Sequence, residues 1–398
     1  MTPSPPGWYL WIVPFLAIHQ SRSGFGAIVL VGFFSLFFIT YHLLQTSGAG
    51  IILFDYNQIN ISVLQAPVVQ SIHYTLLIGF GFLIAIQILR EGVRENDYYK
   101  LGSRPLTLGI AGDSGVGKST FSSSLSAIFG KHSTLLVSGD DYHNWDRSSP
   151  MWKTFTHLDP KANRLFQFVK DVRSLINGRA IKSRSYDHFL GYFLPNKIRK
   201  SEDVIIIEGL HALYPKQLLV ELDVRFFIEM DESLRFFLRT NRDVKERNHT
   251  EQEVLSEMER RKYDNEKYIK PQAKRADVIF TLMPINIELF EQYRSIKSNI
   301  KVRACIKHGI YYSELVKILI GVCGLQVNIE SVDENGEVVL EISGDVLSED
   351  ISLAANILVP HMEELFDFSV EFSEGVQGIM QVITLMEIDE ALKRRRNP

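Results

Sequence analysis

The chain has 398 residues, of which 45% are hydrophobic and 23% are charged, and its formal net charge is −4. This length predicts two or three domains, and the composition excludes a disordered or fibrous protein. The slightly acidic balance argues against a general nucleic-acid-binding protein, which needs a basic surface. Two cysteines, Cys305 and Cys323, are too few for a disulfide framework or a four-cysteine zinc site. Both are predicted to be reduced packing residues.

The charged residues are distributed unevenly along the chain. Residues 1–89 contain one basic residue, Arg22, and one acidic residue, Asp55. Two uncharged stretches in this region, residues 25–44 and 72–89, are long enough as helices to cross the hydrocarbon core of a bilayer. A buried helix of a soluble domain is the alternative for each stretch. The region has almost no charged surface that would solvate such a domain, so a membrane segment is predicted.

The membrane segment is predicted to cover residues 1–90, and the basic residues that follow it indicate its orientation. The loop 46–69 contains no Lys or Arg. Four basic residues follow the last apolar stretch: Arg90, Arg94, Lys100 and Arg104. By the positive-inside rule, the soluble part of this integral membrane protein then faces the cytoplasm. A third apolar stretch, Trp8–Ile18, has 11 residues and is predicted to be a short span, a re-entrant piece or an interfacial helix.

A glycine-rich loop follows a strand predicted at residues 106–111. Residues 112–119 read GDSGVGKS, and a helical stretch continues to about Phe129. This is the phosphate-binding loop pattern in its strand–loop–helix context, in which backbone N–H groups and the helix N-terminus surround phosphates. Lys118 is predicted to neutralise the β- and γ-phosphates and Ser119 to bind Mg²⁺. An ordinary glycine-rich turn is the alternative, and the motif alone predicts nucleotide binding without a reaction.

Two further predicted strands, residues 134–138 and 204–207, end in polar residues. The first is followed by residues 139–147, which read GDDYHNWDR, and the second by Glu208. Ligands of open α/β sheets bind outside the carboxyl ends of the strands. The phosphate-binding loop, the cluster of acidic residues, His and Arg, and Glu208 are therefore predicted to converge on one crevice.

The residue types in this crevice suit phosphoryl transfer, which needs a metal holder, a proton acceptor and cations. Glu208 is placed to hold Mg²⁺, and an aspartate at the end of the second strand is placed to take the proton of an acceptor hydroxyl. His143 and Arg147 are predicted to bind a polar, anionic acceptor. The alternative for Asp140 and Asp141 is that they only cap a helix.

Over about residues 105–284 the sequence resembles phosphoribulokinase, within the broader uridine kinase and phosphoribulokinase superfamily. The motifs that carry the resemblance are Asp140–His143 with Arg147, His157–Asn163, Tyr186-Asp187-His188 with Gly191, Glu208–His211, Arg242-Asp243 with Glu246-Arg247, and Tyr268-Ile269 with Pro271-Gln272 and Ala276-Asp277. The Tyr186-Asp187-His188 motif and the His143/Arg147 pair favour the phosphoribulokinase branch over uridine kinases.

The resemblance implies an α/β P-loop kinase fold with a mainly parallel sheet flanked by helices, and an enzyme that uses ATP and Mg²⁺. The implied catalytic residues are Asp140 as base, Lys118 and Arg242. The predicted ATP-binding residues are Gly112, Asp113, Ser114, Gly115, Val116, Gly117, Lys118, Ser119, Thr120, Arg260 and Arg261. The implied acceptor-binding residues are His143, Arg147, Tyr186, His188, Arg239, Arg242 and Arg247. The implied metal ligands are Ser119, Glu208 and Asp140.

Three departures from the family pattern qualify the resemblance. Arg239 stands where the family usually has a lysine, which keeps the charge and changes the geometry. Val116 lies in the stretch where plant enzymes carry a redox-sensitive cysteine, so thiol regulation of that kind is not expected. The membrane segment is the largest departure, because phosphoribulokinases of carbon fixation are soluble.

The kinase domain is predicted over residues 91–285, and a small α+β domain over residues 286–398. Near the end of the first, residues 250–267 are charged and helical in pattern, and Arg260 and Arg261 there are candidates for contacting ATP. A solvated helix face is the alternative for these two arginines.

In the second domain, residues 325–332 and 337–344 predict a hairpin around Asn335-Gly336. Helices are predicted at residues 312–322, 348–366 and 376–394. A second copy of the chain is a predicted partner of this domain.

Three functions remain open from the sequence. The first is a membrane-anchored, ATP- and Mg²⁺-dependent kinase that phosphorylates a hydroxyl of a sugar phosphate, with ribulose 5-phosphate the leading acceptor by resemblance. The second is a kinase of uridine, another nucleoside, or an envelope-pathway sugar or lipid-linked intermediate. The third is a non-catalytic ATP-binding regulator at the membrane. The expected partners are the small-molecule acceptor and the lipid membrane, without nucleic acid.

Overall fold

The computed structural model describes residues 8–22, 25–45, 66–94, 104–187, 190–247, 250–285, 300–308, 312–333, 336–361 and 370–396. The chain divides into two compact units, Met1–Glu95 and Asn96–Pro398.

The described part of the first unit is helical. Its helices are α1 (Trp8–Arg22), α2 (Phe25–Gln45) and α3 (Pro67–Arg94). Each contains one of the three apolar stretches that the sequence singles out. Between α2 and α3 the rings of Phe33 and Phe80 stack with centroids 5.7 Å apart, and His73 Nε2 lies 2.8 Å from Thr40 Oγ1. Aromatic packing and polar contacts of His73 with Thr40 and with the carbonyl oxygen of Phe37 therefore hold these two helices together.

One helix among the described residues is long and apolar enough to cross a membrane, over Pro67–Leu89. Gly26–His42 forms a shorter apolar helix. By length and composition, Pro67–Leu89 is the described helix that supports the predicted membrane segment.

The second unit is organised around one large β-sheet. Its strands are β1 (Leu106–Gly112), β2 (Thr134–Ser138), β5 (Val204–Gly209), β6 (Val224–Met230), β7 (Val278–Pro284), β8 (Ile300–Ile306), β9 (Gln326–Val332) and β10 (Val338–Ser343). A separate hairpin pairs β3 (Ile181–Asp187) with β4 (Tyr192–Arg199). The eight-stranded sheet has the order β2-β5-β1-β6-β7-β8-β10-β9. Pairings from β2 to β7 are parallel and those from β7 to β9 are antiparallel, so the predicted mainly parallel sheet is confirmed.

Helices cover both faces of the sheet. They are α4 (Lys118–Phe129), α5 (Leu165–Ile176), α6 (Lys216–Leu219), α7 (Glu232–Arg247), α8 (Glu251–Asp264), α9 (Tyr312–Gly321), α10 (Ser348–Leu358) and α11 (Gly375–Arg396). Strand β5 shows how the sequence builds this arrangement. Val204 and Ile206 belong to the core on one face, whereas Ile205 and Ile207 belong to the core on the other. Successive side chains of a strand alternate between its faces, so a strand covered on both sides is apolar throughout.

The C-terminal strands continue the same sheet. The hairpin predicted from the sequence is present as β9 and β10, and the three helices predicted around it are present as α9, α10 and α11. The end of the helix predicted at 348–366 lies partly outside the described residues. The domain boundary predicted between residues 285 and 286 stays a prediction. Strands β8, β10 and β9, which follow this boundary in the chain, belong to the same sheet as the strands before it. Cys305 and Cys323 are free and buried, as predicted.

Candidate active site

A cavity of about 470 Å³ lies at the carboxyl ends of β1, β2 and β5. The predicted site residues that line it are Ser114, Gly115, Lys118, Ser119, Asp140, His143, Arg147, Tyr186, Glu208, Arg239 and Arg261. The lining residues without a role predicted from the sequence are Ser138, His157, Gly209, Leu210, Glu253, Val254 and Glu257. The three strand ends therefore converge on one crevice, as the sequence predicts.

Other predicted site residues lie elsewhere or outside the described part. Gly112, Asp113, Val116, Gly117, Thr120 and Arg260 are not among the residues that line this cavity. Asp113 lines a neighbouring cavity beside α7 and α8, and Arg260 is exposed on α8. His188 and the side chains of Arg242 and Arg247 lie outside the described residues.

The phosphate-binding loop is held tightly between β1 and α4. Gly112 requires glycine, since a Cβ there would lie 2.3 Å from the carbonyl oxygen of Ile228 on β6. Lys118 Nζ donates to the carbonyl oxygen of Asp113, 2.7 Å away. The Asp113 carboxylate in turn accepts from Arg235 on α7. The loop is therefore anchored both to the sheet and to the helix that carries Arg239.

The two adjacent aspartates after β2 have different environments. They lie in a short 3₁₀-helix, Gly139–Tyr142, in which the Ser138 hydroxyl accepts from the backbone N–H of Asp140. Asp140 lines the cavity. Asp141 is buried and bonds to the β3–β4 hairpin. The residue that faces the phosphate-binding loop and Glu208 is therefore Asp140.

His143 lies beside Asp140, and its hydrogen bonds show that the ring nitrogen Nδ1 carries a proton. Asn163 Nδ2 donates to the carbonyl oxygens of His157 and Asp159, at 3.0 and 2.9 Å, which turns Asn163 Oδ1 towards His143. His143 Nδ1 lies 2.6 Å from that oxygen, so Nδ1 carries a proton and donates it. His143 Nε2 is then the ring atom turned to Asp140, 3.4 Å from Oδ1.

The oxygen donors in the cavity suit Mg²⁺. Ser119, Asp140 and Glu208 all line it, and hydroxyl and carboxylate oxygens are the ligands that Mg²⁺ takes together with phosphate oxygens. Glu208 Oε2 accepts from the Ser122 hydroxyl at 2.9 Å, and burial raises the pKa of this carboxyl. Among the residues that the structure describes, no group of three or more His, Cys, Asp or Glu side chains forms a metal cage. In kinases, Mg²⁺ is usually held by only a few protein ligands together with the phosphates of the substrate.

Two arginines from α7 and α8 share one carboxylate at the cavity wall. Arg239 and Arg261 lie 3.0 and 3.1 Å from the same Glu257 oxygen. Both guanidinium groups are largely buried, and burial lowers the pKa of Arg261 to about 10, which still leaves it charged at neutral pH. Of the two arginines predicted to contact ATP, Arg260 and Arg261, only Arg261 lines this cavity. Its acidic partner Glu257 was not predicted from the sequence.

Two histidines near Asp140 were also missed as site residues. His157 lines the cavity and its ring lies against Trp152, with centroids 3.8 Å apart. His211 lines a small void together with Asp140. Burial lowers the pKa of His157 to about 2 and that of His211 to about 3, so both are neutral at physiological pH. Both belong to the quoted family motifs, and that was the only signal in the sequence.

The buried His211 predicts a pH dependence of stability. Its pKa of about 3 lies below the ordinary 6.5, so below pH 6.5 the unfolded chain binds a proton that the folded chain does not bind. The free energy of unfolding should therefore fall with decreasing pH, by about 1.4 kcal/mol per pH unit for this group. Urea unfolding of the detergent-solubilised chain between pH 7.5 and 5 measures the slope. His211→Gln should reduce it and His132→Gln, at an exposed site, should not; equal slopes for all three proteins would contradict the prediction.

Comparisons with known proteins identify the family of the chain. Residues 107–287 match the model of the phosphoribulokinase / uridine kinase family. A uridine kinase from Halalkalibacterium halodurans is 31% identical over 185 residues, which are 45% of this chain and 87% of that protein. The chain therefore belongs to the phosphoribulokinase / uridine kinase family.

Phosphoribulokinases are also among the relatives. The phosphoribulokinase of Synechocystis sp. is 33% identical over 211 residues, which are 53% of this chain and 62% of that protein. The chloroplastic enzyme of Triticum aestivum is 28% identical, over 56% of this chain and 59% of that protein. The chain thus spans about three fifths of the length of these relatives.

A solved structure of phosphoribulokinase from Rhodobacter spheroides matches with a TM-score of 0.50 at 19% identity. The match covers 66% of this chain and 97% of that structure, which is more of the chain than residues 107–287. This likeness confirms the fold predicted from the sequence, a P-loop kinase fold with a mainly parallel sheet flanked by helices.

Proposed function

We propose that the protein is an ATP- and Mg²⁺-dependent kinase that transfers the γ-phosphate of ATP to a hydroxyl of a sugar phosphate. The observation that carries this proposal is the position of Asp140, which lines one cavity together with Lys118, Ser119 and Glu208. A carboxylate beside a phosphate-binding loop and a metal-binding acid is the set of groups that phosphoryl transfer to an alcohol requires. Membership of the phosphoribulokinase / uridine kinase family supports the same chemistry.

In this mechanism the chain mainly positions reactants and neutralises charge. Asp140 accepts the proton of the acceptor hydroxyl as its oxygen attacks the γ-phosphate. Lys118 and Arg261 offset the charge on the phosphate oxygens. The resemblance implies Arg242 as a further catalytic residue that also binds the acceptor. Mg²⁺, for which Ser119, Glu208 and Asp140 supply oxygen ligands, would neutralise further charge on the β- and γ-phosphates.

A sugar phosphate is favoured as acceptor because of the cations on the acceptor side. Arg147 and Arg239, which the resemblance assigns to the acceptor, line the same cavity as His143 and Tyr186. Guanidinium groups bind phosphate oxygens in pairs of parallel hydrogen bonds, whereas a neutral nucleoside does not need them. Ribulose 5-phosphate is the first candidate, given phosphoribulokinases at 33% and 31% identity. Uridine is the second candidate, supported by the 31% identical uridine kinase.

We further propose that the first unit anchors the kinase to a membrane, with the second unit on the cytoplasmic side. The stretch Pro67–Leu89 supports this, because it is apolar over the length of a bilayer and few of its residues are buried. The absence of Lys and Arg from residues 46–69 supports the orientation.

A second copy of the chain is proposed as a partner through the edge of the sheet. Strand β9 is an edge strand, and its Ile329 and Val332 are 45% and 48% exposed. Exposed apolar edge strands readily pair with another strand, and antiparallel pairing with the same strand of a second copy would satisfy the free edge. The molecular mass of the detergent-solubilised protein by light scattering tests this partner.

The test of the proposed activity is ADP release by the detergent-purified full chain with ATP, Mg²⁺ and a panel of acceptors. The panel contains ribulose 5-phosphate, other pentose and hexose phosphates, uridine and cytidine. Turnover on ribulose 5-phosphate alone is the expected result. Turnover on uridine alone would replace the acceptor and keep the mechanism. Silence on every acceptor, with ATP still bound, would instead favour a membrane-linked acceptor or a non-catalytic regulator.

A further inference from the structure

The side chain of Asp141 connects the catalytic turn to the β3–β4 hairpin. Its exposed fraction is 6%. One carboxylate oxygen accepts from the backbone N–H of Tyr186, 2.7 Å away, and the other accepts from Arg199, also at 2.7 Å. Tyr186 lies on β3 and Arg199 at the end of β4, so one carboxylate holds both strands of the hairpin.

The hairpin also reaches back to the turn through its arginines. Arg184 Nε donates to the carbonyl oxygen of Asp141 at 3.1 Å, and its terminal nitrogen donates to the carbonyl oxygen of His143. The Arg184 guanidinium lies 3.4 Å from the centre of the Phe193 ring, which fixes its direction. Arg199 additionally donates to Ser185 Oγ at 2.6 Å. The hairpin and residues 139–143 are therefore joined by several independent bonds.

Burying the carboxylate of Asp141 costs free energy, because the charged group is removed from water. Desolvation disfavours the ionised form and raises the pKa of Asp141, while the Tyr186 N–H and Arg199 counteract it. A buried carboxylate bonded to both a backbone N–H and a guanidinium fixes relative position more than it adds stability.

The hairpin carries or contacts two groups on the acceptor side of the cavity. Tyr186, whose backbone Asp141 holds, lines the cavity with its ring. Gly191 accepts from the backbone N–H of Arg147 at 2.8 Å. A Cβ at Gly191 would lie 2.9 Å from Arg147 Cβ, so the hairpin tip and Arg147 pack without spare room. Displacing the hairpin would therefore displace both Tyr186 and Arg147.

We propose that Asp141 is a positioning residue for the acceptor: it fixes Tyr186 and Arg147 relative to Asp140 and so sets acceptor affinity, while ATP binding does not depend on it. This inference rests on the proposed function, because it assigns the hairpin side of the cavity to the acceptor. ATP is assigned to the phosphate-binding loop and Arg261, and none of the bonds of Asp141 described above runs to these groups. Asp141 acts through the hairpin and does not line the cavity.

The kinetic test compares wild type with Asp141→Asn, which keeps the shape and removes the charge. We expect the KM for ribulose 5-phosphate to rise about tenfold, because small displacements of positioning groups weaken binding strongly. The KM for ATP should change less than about twofold. Arg199→Met should give the same pattern, although Arg199 does not line the cavity. The matched control is Asp171→Asn, another buried carboxylate, which accepts from Tyr142 and Gln167 instead of from the hairpin.

A second measurement does not depend on any acceptor. Hydrogen exchange of the full chain in detergent, without substrate, should be faster in residues 181–187 and 192–199 of Asp141→Asn than of wild type, with residues 106–119 unchanged. Unchanged exchange of the hairpin, or a loss of kcat at constant acceptor KM, would overturn the role of Asp141. Absence of turnover on ribulose 5-phosphate by wild type, with faster exchange in the variant, would count against the proposed acceptor and keep Asp141 as the residue that fixes the hairpin.

Discussion

Replacing Asp140 by asparagine is expected to lower kcat by about 10²–10⁴-fold, the range for loss of a general base. Asparagine has nearly the same shape as aspartate, but it cannot accept the proton of the acceptor hydroxyl. Asp140 lines the cavity without being part of the phosphate-binding loop, so the dissociation constant of MgATP should change much less than kcat. The measurement is steady-state ADP release with the best acceptor, together with equilibrium MgATP binding to the same preparation.

A matched control removes one negative charge elsewhere in the second unit. Asp345 lies in the exposed turn after β10 and is not among the residues lining the cavity, so Asp345→Asn should keep wild-type kcat. Equal losses of turnover and MgATP affinity in Asp140→Asn would contradict its role as a base. They would indicate that the carboxylate acts mainly as a metal ligand, which is its second predicted role.

Replacing Lys118 by methionine is the second large expected effect. Lys118 is the cation of the phosphate-binding loop, and loss of one group that stabilises charge in a transition state lowers kcat by about 10²–10³-fold. Because the same charge also attracts the phosphates of the bound nucleotide, MgATP affinity should fall as well, unlike in Asp140→Asn. The two variants therefore separate the nucleotide-binding group from the proton acceptor.

The control for this variant lies at the other end of the same helix. Lys131 is exposed just beyond α4, and Lys131→Met should leave both MgATP affinity and kcat unchanged. A Lys118→Met protein that still turned over at the wild-type rate would refute the mechanism proposed above. Stoichiometric MgATP binding by the wild type with no turnover on any acceptor would point to the regulatory alternative.

The pair Asp140 and Asp141 shows how much of the site can be predicted from the sequence. Spacing after β2 places an aspartate at the strand end, and the family resemblance selects Asp140 as the base. In a 3₁₀-helix successive side chains diverge by about 120°, so adjacent aspartates cannot face the same way. The bond between Asp141 and Arg199 is known only from the structure, because the two residues are 58 positions apart in the chain. No local pattern in the sequence indicates a bond over that separation.

The shared carboxylate of Glu257 is a similar case. The charged stretch 250–267 is predicted as a helix that carries arginines, and α8 confirms the helix. A pattern of charges does not show which acid faces which base, because partners on a neighbouring helix depend on the packing of α7 against α8. Only the three-dimensional arrangement places Glu257 between Arg239 and Arg261.

The phosphate-binding loop, the strands with polar carboxyl ends and the family could all be predicted from the sequence alone. These features are local: a glycine pattern fixes backbone geometry, and apolar runs fix buried strands. Only the tertiary structure showed what Asp141 binds, where the β3–β4 hairpin attaches, and how β8, β10 and β9 extend the sheet. These features depend on contacts between residues that are far apart in the chain. Such contacts form only when folding has brought the residues together.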